Sequence, residues 1–520
     1  MSKDFNITGT CFPEDNYMAD VSGKLKDVYE MVEKGKYFII NRPRQYGKTT
    51  TLHTIAHHFR ATGAYLVFNM SFEGLGDTIF EQESLFAPGF VRLLAKHIKV
   101  AEPDLSKWLL AHLSPIKTFD EVADLITEFA LETPKKLLLI IDEVDKSSNN
   151  QLFVSFLAML RNKYLVRKDE KTFHAVVLAG VHDVKSLKLK IRPDEEGKFN
   201  SPWNIATDFK VDMNLHPFEI KPMLDAYIAD KGVKMDAEAI AERLFYHTSG
   251  YPFLVSKLCK MLDEEVLPTK TVKEWTLDDL DAAARQLVKE SNTNFDSLTV
   301  NLENNKDLYA IVYKVAIEGE PQTFNSQNPT TNLGVLYGVF VEKNGRIAIH
   351  NRIYSELIVN YMADRLHQSQ TLRHKDFGGG YRNDDNTLNM EALLLGFQAF
   401  MKKEYSKKDR DFLEKNGRLV FLAFVKPIIN GSGYDFKEPQ ISEEQRLDVV
   451  ITYFQHKYVA ELKIWRGSKA HDKGLQQLHD YLDKQALDEG FLLVFDHSEV
   501  KNWHSEWVNV HQKKVFVAWV

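Results

Sequence analysis

A chain of 520 residues is too long for one hydrophobic core and implies about three to four domains. Its composition, 44% hydrophobic and 27% charged, is that of a soluble globular protein, and no apolar run approaches membrane-spanning length. The net charge of −7 argues against a whole-surface nucleic-acid binder but leaves room for a local basic groove.

The N-terminus lacks the apolar core of a secretory signal. Cys11 and Cys259 suit a reducing cytosol better than a disulfide framework and match no zinc spacing, so a cytoplasmic location is expected. Residues 1–215 alternate strand-like and helical patterns, as a parallel α/β sheet should. The clearest strands are Tyr37–Asn41, Ala64–Met70, Lys136–Asp142 and Phe173–Gly180. They are short and apolar on both faces, which predicts helices on both sides.

The first strand runs into R-P-R-Q-Y-G-K-T-T and then a helical segment, the context that a phosphate-binding loop requires. Arg42, Pro43, Arg44, Gln45, Tyr46, Gly47, Lys48, Thr49 and Thr50 are therefore the candidate ATP-binding residues. Backbone N–H groups at the helix start attract phosphates, Lys48 reaches the β and γ phosphates, and the Thr49 hydroxyl ligates magnesium. Arg42 stands where the full pattern has its first glycine. A lone G-K-T is weak, but the third strand ends in Asp142 and Glu143. Asp142 can hold magnesium through water, and Glu143 can polarise the attacking water. A buried strand ending in surface acids is common; the two motifs in this order favour a nucleotide site. His53, His57 and His58 on the next helix read as structural or surface residues rather than a metal site.

Residues 216–300 are helical in pattern with no strong strand, and 301–366 form a small helical domain with a hairpin wing. The wing, Gly338–Asn351, carries an Asn-Gly turn between alternating strands. A polar, glycine-bearing linker, 367–387, precedes a terminal block, 388–520, of long helices, a three-strand cluster, a helix and one last strand. Within that block, a four-residue turn Phe454–Lys457 pairs Tyr453 with Tyr458 and sets Asp448 opposite Lys463. Asp448, Glu461 and Lys463 then share one face, unless the register slips by one residue. Two carboxylates and a lysine can hold magnesium or manganese and orient a hydrolytic water. Charges on an edge hairpin are routine, but Val459, Leu462 and Ile464 make this hairpin substantially apolar.

N-I-T-G-T-C-F-P-E-D-N-Y-M-A-D, the phosphate loop, I-I-D-E-V-D and T-S-G-Y-P-F-L-V together resemble the AAA-ATPase-like proteins of bacteria. These are related to archaeal and origin-recognition ATPases within the AAA+ and STAND-like group, and the resemblance spans residues from about 5 to 365. It implies an AAA+ P-loop core over 1–215, a helical lid over 216–300 and a winged-helix-like domain over 301–366. By the same resemblance His182 or Asp183 occupies the sensor position, and Pro252 lies on the lid near the adenine. Arg192 is a candidate arginine finger. The missing first glycine is usual in such loops and puts hydrolysis rate, rather than binding, in doubt.

The terminal block resembles the PD-(D/E)XK nuclease superfamily through Asp448, the E-L-K triplet Glu461–Lys463 and the flanking helical segments. Leu447 replaces the motif's proline, Glu414 matches the acidic residue of the first core helix, and Glu438 is a rival third ligand. Gln477 and Tyr481 fit an auxiliary polar position. The expectation is an α/β multidomain protein in which an ATPase is coupled to a magnesium-dependent, restriction-endonuclease-like domain acting on DNA or RNA. A homo-oligomer is compatible and no membrane is involved. The rivals are a nucleotide-gated scaffold with a non-catalytic terminal domain, and a plain AAA+ ATPase whose winged helix binds DNA.

Overall fold

Apolar runs of five to eight residues cannot leave either face in water, and in the computed structural model they form a covered parallel sheet. Strands β1 (Tyr37–Asn41), β2 (Tyr65–Ser71), β3 (Lys136–Asp142) and β4 (Phe173–Gly180) pair in the order β1-β4-β3-β2, all parallel. The structure describes residues 3–144, 151–180, 203, 205–207, 209–318, 321–369, 381, 383, 385, 387–404, 417–418, 420–422, 424–425, 428–429, 433–436, 449–453, 456–465, 468–496 and 503–520.

Helices α1 (Ser22–Glu33) and α2 (Lys48–Ala61) cover one face, where Val28, Leu52, Ile55 and Phe59 pack on Phe38, Ile40, Leu138 and Val177. The other face lies under α3 (Glu83–Ile98), α4 (Pro103–Ala111), α5 (Phe119–Leu131) and α6 (Gln151–Val166), with Phe86, Phe90, Phe129 and Phe156 among the buried rings. Helix α5 starts on a capping box, in which Thr118 accepts from the Glu121 amide and Glu121 reaches back to the Thr118 amide. An isolated parallel bridge, Phe38 to Thr207, extends the sheet beyond β1.

The segment without strand signal is helical: α7 (Pro217–Lys231), α8 (Ala237–Thr248), α9 (Pro252–Met261) and α10 (Leu277–Lys289). The chain divides into two units, 1–283 with 332–339 and 284–331 with 340–520. In the second, α11 (Thr293–Asn304) and α12 (Lys306–Tyr313) are followed in sequence by α13 (Pro329–Leu336), which crosses the unit boundary. An antiparallel hairpin follows, β5 (Phe340–Lys343) with β6 (Arg346–Ile349). Its turn residues Asn344 and Gly345 have φ of 52° and 73°, the left-handed pair that a two-residue hairpin turn demands. Helix α14 (Arg352–Ser369) runs three residues into the segment read as a linker, of which 370–380, 382, 384 and 386 lie outside the described residues.

A six-stranded sheet is built from β7 (Gly433–Phe436), β8 (Val449–Tyr453), β9 (His456–Ile464), β10 (Glu489–Phe495), β11 (Ser505–Val510) and β12 (Lys513–Trp519). Its order is β11-β12-β10-β9-β8-β7. The first three strands form an antiparallel meander, β9, β10 and β12 are parallel, and β11 runs antiparallel on the edge. Helix α16 (Ser468–Lys484) makes the β9-to-β10 crossover and packs Leu478, Tyr481 and Leu482 on Val450, Val459, Leu492 and Val494. Helix α15 (Met390–Glu404) covers the opposite face; the Gln398 amide donates to the carbonyls of His504 (3.0 Å) and Trp519 (2.7 Å).

Two expectations for this block are corrected. Tyr453 pairs with His456, not Tyr458, so only residues 454 and 455 separate the paired positions and the register differs by two. An even shift preserves which side chains share a face. Three strands, not one, follow the crossover helix. The missed edge strand β11 reads S-E-W-V-N-V and is largely exposed, so it lacks the apolar signature of a buried strand. No helix among the described residues is long and apolar enough to cross a membrane.

Candidate functional site

The phosphate-loop candidate lies where β1 hands over to α2, and its backbone explains the glycine before the lysine. Gly47 caps α2 at φ 74°, a conformation that side-chain-bearing residues adopt only with strain. Lys48 follows with 8% exposure, and its ammonium donates to the carbonyls of Arg42 (3.1 Å) and Pro43 (2.8 Å), curling across the loop. The Thr49 hydroxyl donates to Asp142 Oδ2 at 2.6 Å, joining two segments that are 93 residues apart. Asp142 ends β3 at 6% exposure, and its other carboxylate oxygen accepts from the Glu143 amide at 2.9 Å. Glu143 is exposed and held at φ 55°, a left-handed conformation that costs a non-glycine residue about 1–2 kcal/mol. A hydroxyl beside a carboxylate is a hard oxygen set that fits a magnesium ion. Strand β4 is inserted between β1 and β3 and ends at Gly180, opposite Asn41. His182, Asp183 and Arg192 lie outside the described residues.

Arg42 has a different occupation from its neighbours. Its guanidinium donates to the carbonyls of Asn41 and Val211, both at 2.8 Å, and sits 5.3 Å over the Phe209 ring. Burial draws its pKa down, against the pull of Tyr46 and Asp212. The side chain thus ties residues 209–211 to the base of the loop. Tyr46 is buried as well; its hydroxyl donates to the Asn214 side chain, and burial drives its pKa upward.

The T-S-G-Y-P-F segment reaches the loop through Tyr251, and Pro252 opens α9. The Tyr251 hydroxyl donates to the Arg44 carbonyl at 2.7 Å, and its ring meets Tyr46 edge-on at 4.6 Å. Gly250, at φ 75°, is packed so tightly that a Cβ would stand 2.3 Å from the Leu215 carbonyl oxygen. Gly338 approaches from elsewhere in the same unit, where a Cβ would meet Pro43 at 2.8 Å. An N-terminal strap closes another side: the Cys11 amide donates to the Thr50 hydroxyl (3.1 Å), and Phe12 packs edge-on against His53 (4.9 Å). Burial, with Arg60 and His57 adding to it, holds His53 below its ordinary pKa. Sequence reasoning missed Tyr251, Asn214 and Cys11. An aromatic residue beside the nominated proline was the available signal for the first; the other two had none.

The C-terminal sheet brings together part of the second candidate cluster. Glu461 and Lys463 alternate on β9, facing α16, with the Lys463 ammonium 2.7 Å from Glu461 Oε1. Glu461 is fully buried. Gly474 of α16 lies against the lysine stem, where a Cβ would stand 3.4 Å from Lys463 Cγ, an ordinary contact distance. Gln477 is half-buried one turn further along, and Tyr481 belongs to the core. Asp448, Glu414 and Glu438 lie outside the described residues. Among the described residues no three His, Cys, Asp or Glu side chains are grouped to hold a metal.

A strand, a glycine-lysine-threonine loop and a helix, faced by the carboxylate of a strand two places along a parallel sheet, define a P-loop nucleotide-binding fold of the AAA+ kind. Residues 15–359, more than half of the chain, match the family model described as AAA-like domain, and the chain belongs to that family. That match ends before the six-stranded sheet begins. No curated protein matches the chain. Among solved structures it is similar to a Walker-type ATPase of Pyrococcus abyssi, at 12% identity over 68% of this chain and 99% of that one, TM-score 0.46. The Aeropyrum pernix ORC2 protein is similar at 12% identity over 70% and 99%, TM-score 0.37. The Thermotoga maritima RuvB Holliday junction branch migration motor is similar at 14% identity over 64% and 92%, TM-score 0.34.

Proposed function

We propose that this protein binds and hydrolyses ATP at the loop between β1 and α2. The observation that carries the reading is the 2.6 Å hydrogen bond from Thr49 to Asp142, beside the buried Lys48. Those two oxygens would hold magnesium, which when bound neutralises charge on the β and γ phosphates. The Lys48 ammonium exchanges its two loop carbonyls for phosphate oxygens, and the amides at the start of α2 point at the same group. Glu143 takes the proton of a water that attacks the γ phosphorus; the bond to the β–γ bridging oxygen breaks, releasing ADP and phosphate. Pro252 and Tyr251 form the lid side of the site, and 301–366, with the β5–β6 hairpin as its wing, is read as a winged-helix-like domain. Lys48→Ala is expected to abolish ATP binding, whereas Glu143→Gln should bind ATP and lose turnover by about 100-fold or more. Unchanged turnover in both variants refutes the assignment.

The fully buried Glu461 beside Lys463 favours a second reading for residues 388–520: a magnesium- or manganese-dependent nuclease of the PD-(D/E)XK kind acting on DNA or RNA. Glu461 is fully buried while the Lys463 side chain keeps 31% exposure, and a carboxylate buried under α16 beside a solvent-reaching cation is costly for stability alone. Support also comes from the topology, an antiparallel meander followed by a crossover helix and a parallel strand. In this reading Asp448 and Glu461 hold the ion, Lys463 positions the water, and nucleotide turnover is coupled to cleavage. Asp448→Ala and Lys463→Ala should each remove metal-dependent cleavage while melting stays unchanged. A nucleotide-gated scaffold predicts instead that full-length protein takes up manganese identically, by calorimetry, with and without Asp448→Ala.

A further inference from the structure

The edge of the four-stranded sheet opposite the phosphate loop carries positive charge that the ATPase reading does not use. The chain enters β1, β3 and β4 at that edge, and the entering segments surround a cleft of about 420 Å³. Lys34, Lys135, Lys136, Arg167, Lys168 and Lys171 line it, and no carboxylate does. In a chain of net charge −7 this is a local concentration, drawn from three separate loops. Like charges gathered around one hollow repel unless a counter-charge joins them.

The neighbouring acids do not supply it fully. Glu170 is directed at the buried Lys163 (2.7 Å), Glu102 holds Lys135 (2.5 Å), and Glu30 holds Lys34 (2.8 Å) in an exposed pair. Lys168 and Lys171 are exposed, and no carboxylate among the described residues pairs with either. Arg167 lies 3.5 Å from the centroid of the Tyr164 ring, which covers that aromatic face. Phe173 is buried in the floor with Thr133. The cleft therefore offers cations around a small floor of Ala130, Pro134, Leu137 and Phe173, and the Tyr164 face is taken by Arg167 rather than open for base stacking. Five lysines to one arginine is a set of point charges, suited to phosphates and indifferent to sequence. Even the shortest strand separates the cleft from the phosphate loop by about 15 Å at 3.3 Å per residue, so ATP cannot be its occupant while bound at that loop.

We propose that this cleft binds the phosphodiester backbone of nucleic acid, giving the AAA-like unit a base-independent contact remote from its ATP site. The inference rests on the reading that the chain acts on nucleic acid. The test is binding of a short random-sequence DNA duplex to the full-length protein across a salt series. Lys168→Glu with Lys171→Glu should weaken binding at least tenfold and reduce the slope of log affinity against log salt by about two. ATP turnover and melting should not change, and reversing Lys107 and Lys221 instead should have little effect. Parental affinity and slope in the Lys168/Lys171 variant would overturn the cleft assignment alone, as would an equal loss in the Lys107/Lys221 control. If the parent protein binds no duplex at low salt, the nucleic-acid reading falls with it. Tripolyphosphate bound by the parent but not the variant, with duplex binding equal in both, would assign the cleft to a free polyphosphate and overturn the proposal.

Discussion

Tyr251 and Gly250 show how much of the candidate ATP site depends on side chains that touch no phosphate motif. The Tyr251 hydroxyl fixes the Arg44 carbonyl, and the ring braces Tyr46, so the loop is held from the lid side. Tyr251→Phe keeps the ring and deletes one hydrogen bond, worth about 1 kcal/mol. It should weaken ATP affinity severalfold with little change in melting, measurable by calorimetry with a non-hydrolysable analogue. Gly250→Ala is the harsher change, because φ is 75° and the new methyl would sit 2.3 Å from a backbone oxygen. A loss of about 2–4 kcal/mol is expected in denaturant unfolding of the AAA-like unit. Lys48, Thr49 and Asp142 were nominated from the sequence by residue type next to a strand end, and the structure brings the Thr49 hydroxyl to the Asp142 carboxylate beside the buried Lys48. Arg42 was nominated with the loop for its position, yet its guanidinium is bound to backbone carbonyls. Where a long side chain turns is decided by tertiary partners such as Phe209 and Val211, which sequence position does not reveal.

At the scale of elements, strands covered on both faces announce themselves, and β1, β3 and β4 fall at the expected residues. Strand β11 did not, since an edge strand buries little and reads as polar loop. The β8–β9 register shows the intermediate case. Turn length was assumed and differs by two residues; Glu461 and Lys463 share a face because they alternate along one strand, whereas the cross-strand partner Asp448 lies outside the described residues. Local capping chemistry is equally readable: Thr118→Ala removes the α5 capping box and should cost about 1 kcal/mol, seen as a lower melting temperature with ATP binding unchanged.

For the whole molecule, the AAA-like family match ends at residue 359, and the six-stranded sheet has its own core under α16. The two candidate sites therefore belong to separately packed structures, and a variant in one should leave the fold of the other intact. Lys463→Ala is expected to preserve ATP turnover within error while affecting the C-terminal site. Nucleotide turnover at the loop between β1 and α2 is tested most directly by steady-state ATP hydrolysis of the parent beside Lys48→Ala and Glu143→Gln. Turnover in the parent, lost in both variants with ATP binding kept only in Glu143→Gln, is the predicted result. Equal turnover in all three proteins would contradict it.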